Sequence, residues 1–206
     1  MKRIFILFVF SLLVVSCKTS DTPIYTSLYK YNVSLIEPII SDSLRYKDDK
    51  IDIKFTAVTN NIEINLTNKS DKGLKINWDE ISIVLFNKAG RVIHQGVKLS
   101  EKEKVQVPTT IPMNAYWTDK LVPVNNIYYF NVMGRNGDWV IYPLFKQRET
   151  STSKKKNNDW INTMVGQTFS LYFPIHYGNE TLEYNFIFKI NGIEKQQRIS
   201  KSKNRK

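Results

Sequence analysis

Ile62, Ile64 and Leu66 alternate with Glu63, Asn65 and Thr67. A period of two marks a strand with one buried face. Turn-forming residues 68–73 follow, then an apolar run at 81–86, a second turn at 87–90, and Val92 with Ile93. The succession predicts an antiparallel meander. Upstream, Ile51, Ile53, Phe55 and Ala57 alternate with Asp52, Lys54 and Thr56, between a charged turn at 46–50 and a turn at 59–61. Tyr31, Val33 and Leu35 predict a short first strand that Pro38 ends or confines to an edge. Downstream, strands are expected at 116–122, 126–132 and 139–142, with a hairpin loop at 133–137. Pro108 and Pro112 make 105–114 an extended crossing or edge segment, because proline cannot donate to a ladder. Phe169, Leu171 and Phe173 alternate up to Pro174. Leu182, Tyr184, Phe186, Phe188 and Ile190 give the cleanest alternation and predict a central strand. Asn191 and Gly192 read as a type I′ hairpin turn, with 193–199 pairing back as a polar edge strand.

Residues 146–159 break the pattern. The stretch has no apolar residue and contains Lys154, Lys155 and Lys156. Its composition predicts an exposed, mobile loop. The three lysines are a candidate contact for anionic lipid or polymer, against the plainer reading of a solvated insertion. Residues 160–165 suit one or two helical turns with Asp159 as N-cap. Residues 200–206 read as a basic disordered tail. The whole predicts one all-β domain over 25–199, an antiparallel β-sandwich.

The N-terminus changes the picture from fold to location. Lys2 and Arg3 precede an apolar run at 4–15 interrupted only by Ser11. As a helix the run spans about 18 Å, short of the roughly 30 Å hydrocarbon core, so it reads as a signal peptide. Leu13, Val14, Val15, Ser16 and Cys17 resemble the bacterial lipobox. The resemblance implies removal of 1–16, diacylation of Cys17, and a short tether at 17–24. Several acyl chains hold a protein on a bilayer far more firmly than one. Cys17 is the single cysteine, so the mature domain has neither a disulfide nor a thiolate metal site. Lys18 follows the anchor without the aspartate that in some bacteria retains lipoproteins at the inner membrane, which favours the outer membrane, facing the periplasm or the surface. Asp42, Ser43 and Leu44 resemble a bacterial O-glycosylation tripeptide.

The net charge is +11, and it stays strongly positive when Lys2 and Arg3 leave. Anionic headgroups, cell-wall polymers or an acidic protein fit that balance, and nucleic acid does not fit an exported anchor. Candidate chemistry is sparse. His94 and His176 stand far apart, outside any ligand-spaced pair, so no metal or other cofactor is expected. No nucleophile elbow or phosphate-binding glycine loop occurs. Trp78 reads as a core plug; Asp79 as a partner for backbone donors; Asp79 with Glu80, less readily, as an acidic catalytic pair. Trp117, Trp139 and Trp160 suit core or interface positions better than a sugar platform.

From Asp49 onward the order resembles that of a group of uncharacterised bacterial lipoproteins with one immunoglobulin-like sandwich. The matching residues include 62–70, Trp78 with Asp79, 91–98, Pro108 with Ile111 and Pro112, and 165–175. The resemblance implies a fold and a location, not a reaction. The expectation is an anchored, non-catalytic binding or assembly module. Its partners would be the membrane through the acyl chains on Cys17 and an envelope protein or anionic glycan. The alternatives are a glycan-binding or adhesin-like surface protein and, more remotely, a hydrolase with an unmarked carboxylate pair.

Overall fold

The computed structural model describes residues 24–57, 59–131, 136–148 and 154–200. Cys17, the signal segment, most of the tether and residues 201–206 lie outside the described residues. The strands in chain order are β1 (Ile24–Glu37), β2 (Arg45–Lys47), β3 (Ile51–Ala57), β4 (Ile62–Asn68), β5 (Leu74–Ile76), β6 (Ser82–Leu85) and β7 (Lys88–Ile93). Then come β8 (Thr109–Ile111), β9 (Tyr116–Pro123), β10 (Ile127–Phe130), β11 (Asp138–Ile141), helix α1 (Lys154–Met164), β12 (Thr168–Tyr177) and β13 (Glu180–Ser200).

The domain is all-β apart from α1 and short 3-10 turns, and its pairings are antiparallel. One path of pairing runs β1-β13-β12-β6-β7-β9-β4-β3-β2, with β5 on β12 and β8 on β5. The path nearly closes on itself. Leu35 of β1 exchanges backbone hydrogen bonds of 3.0 and 2.9 Å with Ser41, in the segment that leads from β1 to β2. Inward positions of β3 and β4, such as Ile53, Phe55, Ile64 and Leu66, are buried, while Lys54 and Asn65 face out. Rings from opposite ends of the path meet inside: Phe55 lies 4.7 Å from Phe186 and 5.2 Å from Phe188. The period-two pattern thus encloses a packed core.

Several sequence expectations change. Strand β4 does not form a meander with β6; it pairs with β3 and β9, and of the three strands expected in that meander β6 and β7 alone form a hairpin. In the crossover between β4 and β6, Trp78 is wholly buried and its Nε1 donates to Thr109 Oγ1 at 3.1 Å. The expected turn at 46–50 begins as β2, and the reversal is made by Asp48, whose Oδ1 accepts the N–H groups of Lys50 and Ile51 at 2.8 and 2.7 Å. Pro174 does not end β12. The ladder to β6 stops at Tyr172 and β5 takes over at His176, so Pro174 faces a gap where no bond is due on that edge.

Asn191 and Gly192 are not a hairpin either. β13 runs on to Ser200 against β1, and Ile190 pairs with Val33 while Gly192 pairs with Asn32, so Asn191 is the extra residue of a bulge. The loop expected at 146–159 gives way to α1 at Lys154, and Asp159 sits inside the helix rather than capping it. Asn157, Trp160 and Met164 recur at helical spacing on its inner face, where Trp160 meets Tyr29 at 5.0 Å.

Candidate functional site

Strands β6 and β7 are joined by a two-residue turn in which Phe86 has φ 50° and Asn87 φ 62°. This is the I′ geometry that suits hairpin twist and is usually filled by Asn and Gly. A left-handed bulky residue costs about 1–2 kcal/mol, and such strain gathers at functional positions. The turn holds Phe86 out, 56% exposed, with only an edge contact to Phe145 at 6.2 Å.

Opposite it stands a ribbon. β10 and β11 pair with each other and with no other strand among the described residues. On one face Ile127, Trp139 and Ile141 sit on a small second core with Ile93 and Val124, while Tyr129 on the same face is exposed. The other carries Tyr128, Phe130 and Val140, with Tyr142 just beyond, and all four are exposed. The open face of a ribbon is normally polar. The ribbon's end is pinned: Tyr142 N–H donates to Asn126 O at 2.7 Å, and Asn126 Nδ2 donates to Pro143 O at 3.1 Å.

Between turn and ribbon lies a cleft of about 620 Å³ with Ile83, Leu85 and Leu144 among its lining residues and the rings of Phe86, Tyr128, Phe130 and Tyr142 around them. That volume is in the range that takes a small ligand or a partner's side chains. Lys88, Asn125 and Asn126 supply polar groups. Asn125 lies across Gly90, where an added Cβ would fall 2.4 Å from its Nδ2. The lining contains no carboxylate, imidazole or thiol.

The residues singled out from the sequence go elsewhere. Lys154, Lys155 and Lys156 form the first turn of α1, with Lys155 and Lys156 exposed, and none of the three lines the cleft. Asp79 and Glu80 are split between partners. Asp79 pairs with Arg91 and accepts Gln106 N–H at 3.1 Å, whereas Glu80 meets His176 Nε2 at 2.7 Å. His94 stacks on Trp78 at 4.4 Å and its Nδ1 lies 3.1 Å from buried Asp119, which also accepts the N–H groups of Gln95 and Lys120. The two histidines therefore serve separate structural contacts. Among the described residues no group of three His, Cys, Asp or Glu is placed to hold a metal. Trp78 is interior and Trp117, Trp139 and Trp160 are half-buried, so tryptophans do not make an open platform.

A second feature missed in the sequence is a phenol latch. Tyr46 and Tyr184 hydroxyls both donate to Asp48 Oδ2 at 3.0 Å. Burial, then the adjacent carboxylate, pushes Tyr46 up to about 12, and the same causes raise Tyr184 further. No helix among the described residues is long and apolar enough to cross a membrane. Comparison with family models, with curated proteins and with solved structures found no match.

Proposed function

We propose that this chain is a bacterial lipoprotein, anchored through Cys17 and facing the periplasm or cell exterior, whose β-domain is a non-catalytic module for binding or assembly. The single observation that carries the reading is the exposed aromatic face of the β10–β11 ribbon over an apolar cleft. Exposed apolar patches of this kind mark interaction sites. The contact is therefore the cleft, in place of the lysines at 154–156. An immunoglobulin-like sandwich fits the same strands. The β7–β9 seam has only the pairs Val92–Pro123 and Ile93–Val122, and so short a seam supports a division into two sheets on that reading. A glycan-binding surface protein is the second reading, supported by tyrosine rings beside the Asn125 amide.

The test is a mild cross-linking pull-down of the tagged, lipidated protein from its native membrane. Phe86→Asp and Tyr142→Asp should each abolish a stoichiometric partner, whether protein or lipid. Charge reversal of Lys154, Lys155 and Lys156 should leave it in place, and Cys17→Ala should lose it with the membrane. Recovery unaffected by both cleft variants would refute the reading.

A further inference from the structure

We infer that the cleft takes the acyl chain of an anionic phospholipid, with the head group held at the rim by Lys88. The inference rests on the binding role proposed above and names its occupant. It follows from which polar groups the cleft offers and which are already engaged.

The apolar part is settled by the lining: aliphatic side chains with aromatic rings around them. Such a surface suits a flexible hydrocarbon chain, which gains about 0.8 kcal/mol for each methylene buried. The polar part is one-sided. Lys88 has an exposed ammonium group and no ion pair or hydrogen bond among the described residues. The Asn125 amide and the hydroxyls of Tyr128 and Tyr142 are likewise without a hydrogen-bond partner among the described residues. The Lys88 ammonium donates only, the amide and two phenols can donate as well as accept, and no lining residue supplies a carboxylate to face them. The ribbon's own acid, Asp138, lies opposite Phe130, and its Oδ1 already accepts the Trp139 N–H at 2.8 Å. A lining whose one charge is an unpaired cation, with further groups able to donate, favours a negatively charged acceptor, and a phosphate suits it. A neutral sugar would satisfy the amide and phenols but leave Lys88 unanswered. A basic peptide would be repelled. The chain's overall charge of +11 works in the same direction, by concentrating anionic lipid around the anchored domain.

The full-length lipidated protein is reconstituted in phosphatidylcholine vesicles. These are doped with phosphatidylglycerol or with phosphatidylcholine, either one bearing a photoactivatable diazirine in its acyl chain. Cross-linked peptides are mapped by mass spectrometry. The anionic probe should label Phe86 and Tyr142 peptides about tenfold more than the zwitterionic one, the ratio expected of one charge-assisted contact. Lys88→Met should remove that excess and Lys88→Arg should restore it, with thermal melting unchanged, since the side chain is free of the fold. Equal labelling by both probes, labelling confined to other peptides, or indifference to Lys88→Met would overturn the inference. If the cleft variants still abolish protein capture while no lipid labels the cleft, this inference falls and the binding role stands. If neither capture nor labelling responds to them, both fall.

Discussion

Asn68 is wholly buried at the end of β4, and each hydrogen-bonding position of its amide is taken. Nδ2 donates to Lys72 O and Ile111 O at 2.8 and 3.0 Å, and Oδ1 accepts from Ser70 N–H and Oγ at 2.9 and 2.6 Å. One side chain thus closes a turn and ties it to β8. Asn68→Ala takes a partner from the buried Ile111 carbonyl and Ser70 N–H and should cost about 2–4 kcal/mol, read as a fall in the urea midpoint at unchanged slope. A loss below about 1 kcal/mol would mean that water replaces the amide. The Asp48 latch is tested by pH. A phenol raised in the fold titrates near 10 when unfolded and, for Tyr46, at about 12 when folded. The unfolded chain then releases its proton first, so this stabilisation is whole below about pH 10 and is lost as pH rises through about 12. Phenolate absorbance should show a tyrosine class that ionises late, and Asp48→Asn should bring that class to lower pH. A single titration near pH 10 would refute the latch. Neither residue was legible as an anchor. Asn68 and Asp48 read as ordinary turn residues because their partners, Ile111 and Tyr184, lie far along the chain, and spacing says nothing about them.

At the scale of elements, strands with one wet face were plain in the sequence, and those that depend on distant partners were not. β3, β4 and the inner half of β13 declare themselves by alternation. The long β1 does not, because what holds it straight is the second half of β13. Helix α1 is masked by lysines and asparagines in its first turns, and only Trp160 and Met164 betray its inner face. The sequence predicts the ribbon as two strands, and Tyr128, Tyr129 and Phe130 in succession force an aromatic onto its open face, which is the available signal for the cleft. The bulge at Asn191 makes a sharp prediction. Removing Asn191 would leave Val33 opposite Ile190 and Tyr31 opposite Ile193, an ordinary ladder. That deletion should fold, with a loss of about 1–2 kcal/mol and a melting point lower by about 2–8 °C. Removing Asn185 instead turns Tyr184 and the residues before it out of phase with Phe186 and the residues after it, and should abolish the cooperative transition. Equal damage from both deletions, measured by circular dichroism, would show that the bulge itself is required.

Across the whole molecule, two apolar cores carry different burdens. The large one joins β3 and β4 to β12 and β13 through Phe55, Leu171, Phe186 and Phe188. The small one, Ile93, Val124 and Ile127 with their half-buried neighbours, has the separate task of seating the ribbon that walls the cleft. Ile127 faces this small core from β10 and is 1% exposed, so Ile127→Ala should cost about 2–5 kcal/mol. The location of that loss matters more than its size. Among the described residues the ribbon shares no ladder with the main sheet, so its opening need not unfold the rest. Hydrogen exchange of Ile127→Ala should therefore show faster exchange in β10 and β11, with β12 and β13 protected as before. Uniform acceleration would mean that the ribbon and the barrel-like body unfold as one unit. The same variant should release the cleft's occupant, because Tyr128 and Tyr142 are placed by the ribbon and not by the large core. Lost occupancy with an intact β12–β13 signal would separate binding from folding, and would show that the small core exists to hold the aromatic wall in place.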